Sequence, residues 1–283
     1  MGLTITRLDG KVYTLDDIGG KLISFDVKPP ELKADAYSEE IETMDGGHDI
    51  GAAYKGREIA STIQFKAYDE LDYPLVRNKI FKIFDSREPF YITDDREPFK
   101  RWLVRASYDL EQLIFDRGTL DITFKSKNVH AESTWTTENG LDSGTGLIGF
   151  GQNWDTGKIE TAKYSFYETS DGNYHDFNIW NGGDFTIDPR QHWLLIELKG
   201  PSTNLTITNK TNGDKWAYTG VTYSGNLVQL YGVKSRKYTT EWQSLFKNSN
   251  RGVITLVPGW NYLRVEGTTD NFSLDIKTRF LYL

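Results

Sequence analysis

Residues 59–67 read Ile-Ala-Ser-Thr-Ile-Gln-Phe-Lys-Ala and show the pattern that decides the fold. Ile59, Ile63, Phe65 and Ala67 alternate with smaller or polar side chains, and this period of two is typical of a half-buried β-strand. The same alternation recurs on both sides of this stretch and predicts further strands. The apolar residues of those strands are Ile23, Phe25 and Val27; Trp102, Val104, Ala106 and Tyr108; and Leu120, Ile122 and Phe124.

Residues 72–85 follow a helical period instead. Asp72 is suited to the N-cap, and Pro74 falls in the first turn, where its missing N–H does no harm. We therefore expect one helix, packed on a sheet by its apolar stripe. That stripe consists of Val76, Ile80, Ile83 and Phe84.

Residues 29–55 contain few periodic apolar side chains. The segment includes Pro29-Pro30 and Gly46-Gly47, together with several acidic residues. A segment of this composition is unlikely to lie inside a core, so we expect an extended arm on the surface. The first half is thus predicted to be a β-sandwich-like domain with one α-helix and an arm.

The second half reads as β-structure throughout. Residues 193–198 are almost continuously apolar and predict a central strand, while Asn212-Gly213 is a strong hairpin signal. Residues 253–257 and 272–280 also read as strands. Short strands with closely spaced turns indicate a β-sandwich. We expect Trp193 to lie in its core and Trp260, beside a Pro-Gly turn, to be exposed.

Length and composition divide the chain. Its 283 residues exceed what one hydrophobic core usually supports, so two domains are expected. Seven of the eight tryptophans follow residue 131, and a stretch rich in Gly, Ser and Thr comes directly after it. We place the domains at 1–131 and 132–283, with 132–153 resembling a linker.

Composition also excludes several classes of protein. The chain has no cysteine, which rules out disulfides, cysteine–zinc sites and thiol nucleophiles. No apolar run approaches the roughly 20 residues of a membrane helix. Residues 1–130 carry a net charge of −5 and residues 131–283 carry −2, so neither half has the basic surplus of a nucleic-acid-binding domain.

The sequence contains no complete catalytic or cofactor motif. Gly144, Gly146 and Gly149 form a Gly-x-Gly-x-x-Gly run without the flanking strand and helix of a nucleotide site. Asp171–Asp176 resembles the start of a calcium loop but lacks its later ligands. The four histidines are not at metal-ligand spacing, and no carboxylate pair suggests a glycoside hydrolase. We therefore predict no enzyme activity, no catalytic residues, no cofactor and no metal.

Aromatic residues of the second half are the remaining candidates for a site. Tryptophan rings offer flat apolar faces that stack on sugars, although most such rings fill cores or their rims. Trp180 and Trp260 are the candidate contacts for a carbohydrate or a partner protein. Core packing is the competing interpretation for these two and for the remaining tryptophans of the half.

The chain as a whole resembles the distal tail proteins of long-tailed, non-contractile bacteriophages. The resemblance over residues 1–128 rests on the order and spacing of several short runs. The second half resembles the galectin-like sandwich that such proteins often carry. The runs are 45–51 (Asp-Gly-Gly-His-Asp-Ile-Gly), 54–59 (Tyr-Lys-Gly-Arg-Glu-Ile), 88–95, 100–105 and 118–124, followed in the second half by 179–184, 204–211 and 256–261.

This resemblance implies a structural virion protein at the phage tail tip. It would form a homo-hexameric ring that joins the major tail tube protein to a tail-associated hub protein or baseplate, with DNA passing through the ring unbound. The second domain would face outward and hold receptor-binding proteins or touch the host. The protein would be made in the host cytoplasm, without membrane insertion. If the first domain lines the channel, its inner wall should be neutral or acidic.

A carbohydrate-binding module that aids adsorption to the host cell wall is the alternative function. Its basis is the concentration of tryptophans after residue 131. The His-x-Asn-x-Arg run of sugar-binding galectins does not occur in this sequence.

Overall fold

Two compact units, Met1–Ala131 and Glu132–Leu283, make up the chain. The structure, a computed structural model, describes residues 2–32, 38–40, 47–49, 51, 53–138, 163–166, 174–269 and 271–283. Antiparallel strands dominate both units, and one α-helix occurs among the described residues. The predicted mainly β, two-domain fold is confirmed.

Seven strands of the first unit form one continuous hydrogen-bonded path. Their order is β2-β1-β7-β8-β9-β6-β3, and all neighbours are antiparallel. The strands are β1 (Leu3–Arg7), β2 (Val12–Thr14), β3 (Gly20–Val27), β4 (Ser38–Glu40), β5 (Gly47–Asp49), β6 (Arg57–Lys66), β7 (Phe90–Asp94), β8 (Lys100–Ile114) and β9 (Arg117–Ser126), with a 3-10 turn at Leu15–Ile18.

Strand β8 gives this unit its sandwich-like character. Its first part pairs with β7, as in Ile92 opposite Trp102. From Arg105 onward it pairs with β9 instead. A strand that passes from one sheet to another makes a corner between two packed layers, so the long β8 belongs to both layers.

Helix α1 (Tyr73–Ile83) begins and packs as the sequence predicts. Asp72 holds the N-cap position, but its carboxylate accepts a hydrogen bond from the Tyr68 N–H rather than from the helix. Ile80 and Ile83 are buried, and Phe84 packs against Phe90 and Phe124 with ring centroids 6.3 and 6.1 Å away. The apolar stripe thus closes the core over the sheet.

One predicted strand contains an irregularity. Leu22 pairs with Ile63 and Ser24 with Thr62, so Ile23 is an extra residue on β3. The bulge turns the Ile23 side chain outward, where it is exposed, although the alternating pattern placed it beside Phe25 in the core. That part of the prediction is wrong, because a bulge shifts the parity of a strand.

The described part of the arm is a two-stranded ribbon of β4 and β5. At its base, Leu32 and Tyr54 form a β-bridge, and the Lys55 N–H donates to the Glu31 carbonyl at 2.7 Å. Residues 33–37, 41–46, 50 and 52 of the arm lie outside the described residues. The two ends of the arm are therefore hydrogen-bonded to each other where the arm leaves the body of the unit.

Buried Arg57 anchors the arm to the body of the unit. Its Nη1 donates to the Lys28 carbonyl at 2.9 Å, where the arm begins, and its Nε donates to the Val129 carbonyl at 3.2 Å. The guanidinium lies 5.3 Å from the Trp102 ring centroid. Burial lowers the pKa of Arg57, but arginine stays charged in proteins. One side chain thus ties together three distant chain segments.

The second unit is a sandwich of two antiparallel sheets, as the sequence predicts. One sheet has the order β11-β21-β13-β17-β18-β19 and the other β12-β20-β14-β15, with β16 on β14. The strands are β10 (Ala131–Ser133), β11 (Lys163–Phe166), β12 (Tyr174–Asn181), β13 (Leu194–Lys199), β14 (Ser202–Asn209), β15 (Lys215–Ala217), β16 (Val221–Thr222), β17 (Leu227–Tyr231), β18 (Lys234–Tyr238), β19 (Trp242–Ser244), β20 (Gly259–Thr268), β21 (Phe272–Thr278) and β22 (Leu281–Tyr282), with a 3-10 turn at Phe246–Asn248.

Two sequence-based expectations fail in this unit. Residues 253–257 form no strand and contribute only the isolated bridge between Leu256 and Ile187. Residues 132–138 are packed rather than linker-like, since Trp135 is buried with its ring 5.0 Å from Phe280 and Thr137 Oγ1 donates to the Ile276 carbonyl at 2.7 Å. The rest of the predicted linker, 139–153, lies outside the described residues.

Candidate functional site

Large apolar side chains crowd the start of α1 on the surface of the first unit. Tyr68 is 91% exposed and Leu71 85% exposed, and Leu75 in the first helical turn is also exposed. They belong to a turn held by the Asp72 carboxylate, which accepts from the Tyr68 N–H at 3.1 Å. None of these side chains adds much to the core of its own unit.

The β8–β9 hairpin brings three more apolar residues to the same end. Lys66 pairs with Arg117, and the Ala67 N–H donates to the Asp116 carbonyl at 2.8 Å. This pairing places Tyr68 beside Phe115. The resulting hydrophobic end patch consists of Tyr68, Leu71, Leu75, Leu113, Ile114 and Phe115, all exposed.

The second unit brings together the two tryptophans predicted as contacts. Trp180 on β12 lies directly opposite Trp260 on β20, and their rings meet edge to face at 5.2 Å between centroids. Both rings are half-buried. The expectation that Trp260 is exposed is wrong, because the neighbouring Trp180 ring packs against it.

Charged side chains continue the same sheet face beyond the tryptophans. Arg264 binds Asp176 through two hydrogen bonds of 2.7 Å, and Lys210 lies 3.4 Å from the same carboxylate. Hydrogen bonding from Arg264 holds the pKa of Asp176 below its ordinary value. A shallow depression of about 290 Å³ includes Asp176, Lys210 and the exposed Tyr262. We call Trp180, Trp260, Asp176, Arg264, Lys210 and Tyr262 the aromatic face.

Sequence reasoning missed the charged members of the aromatic face. The available signal was the period of two along β20, where Trp260, Tyr262 and Arg264 alternate with the buried Leu263 and Val265. Recognising Asp176 as the partner of Arg264 required the β12–β20 pairing, because these residues are 88 positions apart.

Other tryptophans of this unit differ from expectation. Trp193 precedes β13 and is 38% exposed, so its prediction as a core residue is wrong. In that strand Leu194, Ile196 and Leu198 face inward, and residues of odd number face the other way. Trp216 does lie in the core, at 1% exposure, whereas Trp242 is exposed.

Within the described residues, no three or more His, Asp or Glu side chains group so as to hold a metal ion. The glycines at 144, 146 and 149 and residues 171–173 of the calcium-like run lie outside that part of the chain. No helix of the described residues is long and apolar enough to cross a membrane.

A family model described as the phage tail protein RIFT-related domain matches residues 8–126. This part of the chain is therefore similar to a phage tail protein RIFT-related domain. The match includes the helix, the arm, Arg57 and the hydrophobic end patch. It confirms the resemblance to phage tail proteins that the short runs of the first half indicate.

Solved structures extend the comparison to the whole chain. The crystal structure of the SPP1 Dit protein, described as a paradigm of the hub adsorption apparatus in phages infecting Gram-positive hosts, has a TM-score of 0.66 at 11% identity and covers 99% of both chains. The activated baseplate of phage p2 gives a TM-score of 0.48 at 12% identity, with strontium (98% of this chain, 97% of that chain) and with calcium (99% and 97%). None of the curated proteins matches the chain in sequence. The first half of the chain thus matches a phage tail domain model, and the chain as a whole shares its fold with the SPP1 Dit protein.

Proposed function

We propose that this protein is a non-enzymatic structural component of the virion, at the tip of a phage tail. Copies of the chain form a hexameric ring that joins the tail tube to the baseplate or tail-tip hub. The observation that carries the ring is the hydrophobic end patch on the RIFT-related domain. Clustered exposed apolar side chains of this kind favour an interaction site, and a closed ring needs a patch that meets a different surface of the next copy.

The arm supplies a second contact between copies. Its β4–β5 ribbon is tied to the body through Arg57, and Leu32 and Tyr54 at its base are exposed. A ribbon anchored at its base has less conformational entropy to lose on binding than a free loop. The arm is therefore suited to holding a neighbouring copy.

DNA would pass through this ring without specific binding. Residues 1–130 carry a net charge of −5, and an acidic or neutral wall does not retain a polyanion. The expected partners are the major tail tube protein on one side and a tail-associated hub protein on the other. The second domain would project outward, with receptor-binding proteins as further partners.

Immunogold electron microscopy of purified virions tests the location. Antibody raised against the full chain should label the distal end of the tail, where tube and hub meet. Label spread along the tube, label on the capsid, or a virion fraction without the chain would contradict the proposal. Antibody depleted on the purified chain is the control.

A second candidate function is carbohydrate binding during adsorption, favoured by the aromatic face. The paired rings of Trp180 and Trp260 lie on the same sheet face as the Asp176–Arg264 pair, which combines apolar stacking surface with charged hydrogen-bonding groups. Sugar sites require this combination.

Binding of the full chain to purified host cell wall tests the carbohydrate candidate. Trp180→Ala and Trp260→Ala should each abolish binding, while Trp193→Ala, at an exposed tryptophan outside the aromatic face, should retain it. Failure of the unaltered chain to bind, or equal loss with Trp193→Ala, would remove this candidate.

A further inference from the structure

One segment of this acidic protein is strongly basic. Residues 231–252 contain Lys234, Arg236, Lys237, Lys247 and Arg251 against the single acid Glu241, for a net charge of +4. The remainder of the chain has 28 Lys and Arg against 39 Asp and Glu, a net charge of −11. A basic segment on an otherwise acidic protein attracts an acidic partner to that one place on the surface.

A cleft of about 390 Å³ opens beside this segment. Its apolar lining comes from side chains that belong to the sandwich core and includes Leu194, Ile196, Trp216, Leu230 and Ile254. The volume lies within the range of about 300–1,000 Å³ that is usual for ligand sites. We call this cleft, together with Arg236, Trp242, Phe246 and Arg251 at its rim, the basic cleft.

Cations stacked on aromatic rings border the basic cleft. The Arg236 guanidinium lies 4.0 Å from the Trp242 ring centroid, and that of Arg251 lies 4.1 Å from the Phe246 centroid. Trp242 and Phe246 are both exposed. Arg236 Nε donates to Gln229 Oε1. Stacking holds a guanidinium in place and leaves its terminal Nη N–H groups for a carboxylate.

The cleft also contains buried polar groups without a partner. Trp216 Nε1 and Ser249 Oγ are buried, line the cleft, and have no hydrogen-bond partner among the described residues. A buried polar group left unpaired costs about 1–3 kcal/mol, so it favours a ligand that supplies the missing acceptor or donor. A peptide carbonyl accepts from an indole N–H, and a peptide N–H donates to a hydroxyl.

Strand β19 forms an edge next to the cleft. Within the described part of the chain it pairs with β18 and with no other strand. Unpaired backbone groups on an edge strand accept an additional extended segment. Sugar hydroxyls would lose their bonds to water against the apolar lining, so the cleft suits a polypeptide better than a saccharide.

We propose that the basic cleft binds an extended acidic segment of a partner protein. The segment adds to β19, inserts one large apolar side chain into the cleft, and places its carboxylates against Arg236 and Arg251. This interaction does not depend on the ring, because all of its residues belong to the second unit.

Fluorescence anisotropy with the full chain tests this proposal. The probe is a labelled peptide of alternating aspartate and glutamate with one central phenylalanine, and the matched peptide has serine at the centre. We expect saturable binding that weakens about tenfold with the serine peptide and about tenfold with Arg251→Gln. Arg117→Gln, at an exposed arginine of the first unit, should bind as the unaltered chain does.

Three results would overturn the proposal. In the first, the phenylalanine peptide does not bind. In the second, the serine peptide binds as tightly as the phenylalanine peptide, which would mean that only non-specific charge attraction operates. In the third, a carboxylated oligosaccharide binds and competes while the peptide does not, which would assign the cleft to sugars. Circular dichroism of Arg251→Gln, whose side chain lies on the surface, confirms that the variant folds.

Discussion

Leu71→Ala measures what the hydrophobic end patch contributes to self-association. Leu71 is 85% exposed in the single chain, so most of its side chain is available for burial against a neighbouring copy. Alanine removes three carbons, each worth about 0.8 kcal/mol when buried. The exposed share of that total is about 2 kcal/mol, which corresponds to an increase of about 30-fold in the dissociation constant of each interface.

The same substitution should barely affect folding. The share of the Leu71 side chain already covered corresponds to only about 0.4 kcal/mol of the free energy of unfolding. Sedimentation velocity over a concentration series measures assembly, and urea unfolding measures stability. Leu8→Ala is the matched control, because Leu8 is an exposed leucine that lies away from the hydrophobic end patch. Its neighbour Arg7 donates to the Asp85 carbonyl, which follows the C-terminal end of α1, whereas the patch lies at the N-terminal end.

If Leu71→Ala assembles over the same concentration range as the unaltered chain, Leu71 does not lie in a contact between copies. If Leu8→Ala weakens assembly equally, the effect does not belong to the hydrophobic end patch. A large fall in unfolding free energy for Leu71→Ala would show that Leu71 supports the fold and not an interface.

Three further predictions concern the fold. Arg57→Met should lower the free energy of unfolding by about 3 kcal/mol in urea, because it leaves the part-buried hydrogen bonds to the Lys28 and Val129 carbonyls without their charged donor; equal stability would contradict the anchoring role. Gly118→Ala should cost about 1–3 kcal/mol in the same assay, since a Cβ there would lie 2.5 Å from the Phe65 ring. Burial lowers the pKa of His192, whose Nδ1 accepts from the Asp188 N–H. As the pH drops from about 7 to 5, His192 is protonated more readily in the unfolded chain than in the folded chain. Protonation therefore favours unfolding, and the thermal midpoint should fall over this pH range. His192→Asn retains an acceptor and should flatten this decline; an unchanged decline would assign it to other groups.

Period-two patterns predicted most strands because one face of each sheet is buried. They failed where a bulge reverses which residues face inward, and where a continuous apolar run does not show which residues face inward. The bulge at Ile23 reverses which residues face inward, and the continuous apolar run at 193–198 conceals that Leu194, and not Trp193, points into the core. Both errors come from local geometry that hydrophobicity alone does not encode.

The candidate sites were less predictable than the strands. Trp180 and Trp260 were singled out separately, but their contact depends on the β12–β20 register. The sequence patterns do not single out Leu113, Ile114 and Phe115, which are exposed at the tip of the β8–β9 hairpin. A surface made of residues far apart in sequence becomes visible only once the strand pairing is known.

Electron microscopy of the tail tip, isolated from virions and averaged without imposed symmetry, tests the central claim most directly. We predict a six-fold ring of this chain between tube and hub, with the hydrophobic end patch at the contact between copies and a neutral or acidic channel wall. A tip without such a ring, or a ring whose channel is lined by exposed lysine and arginine, would contradict the account.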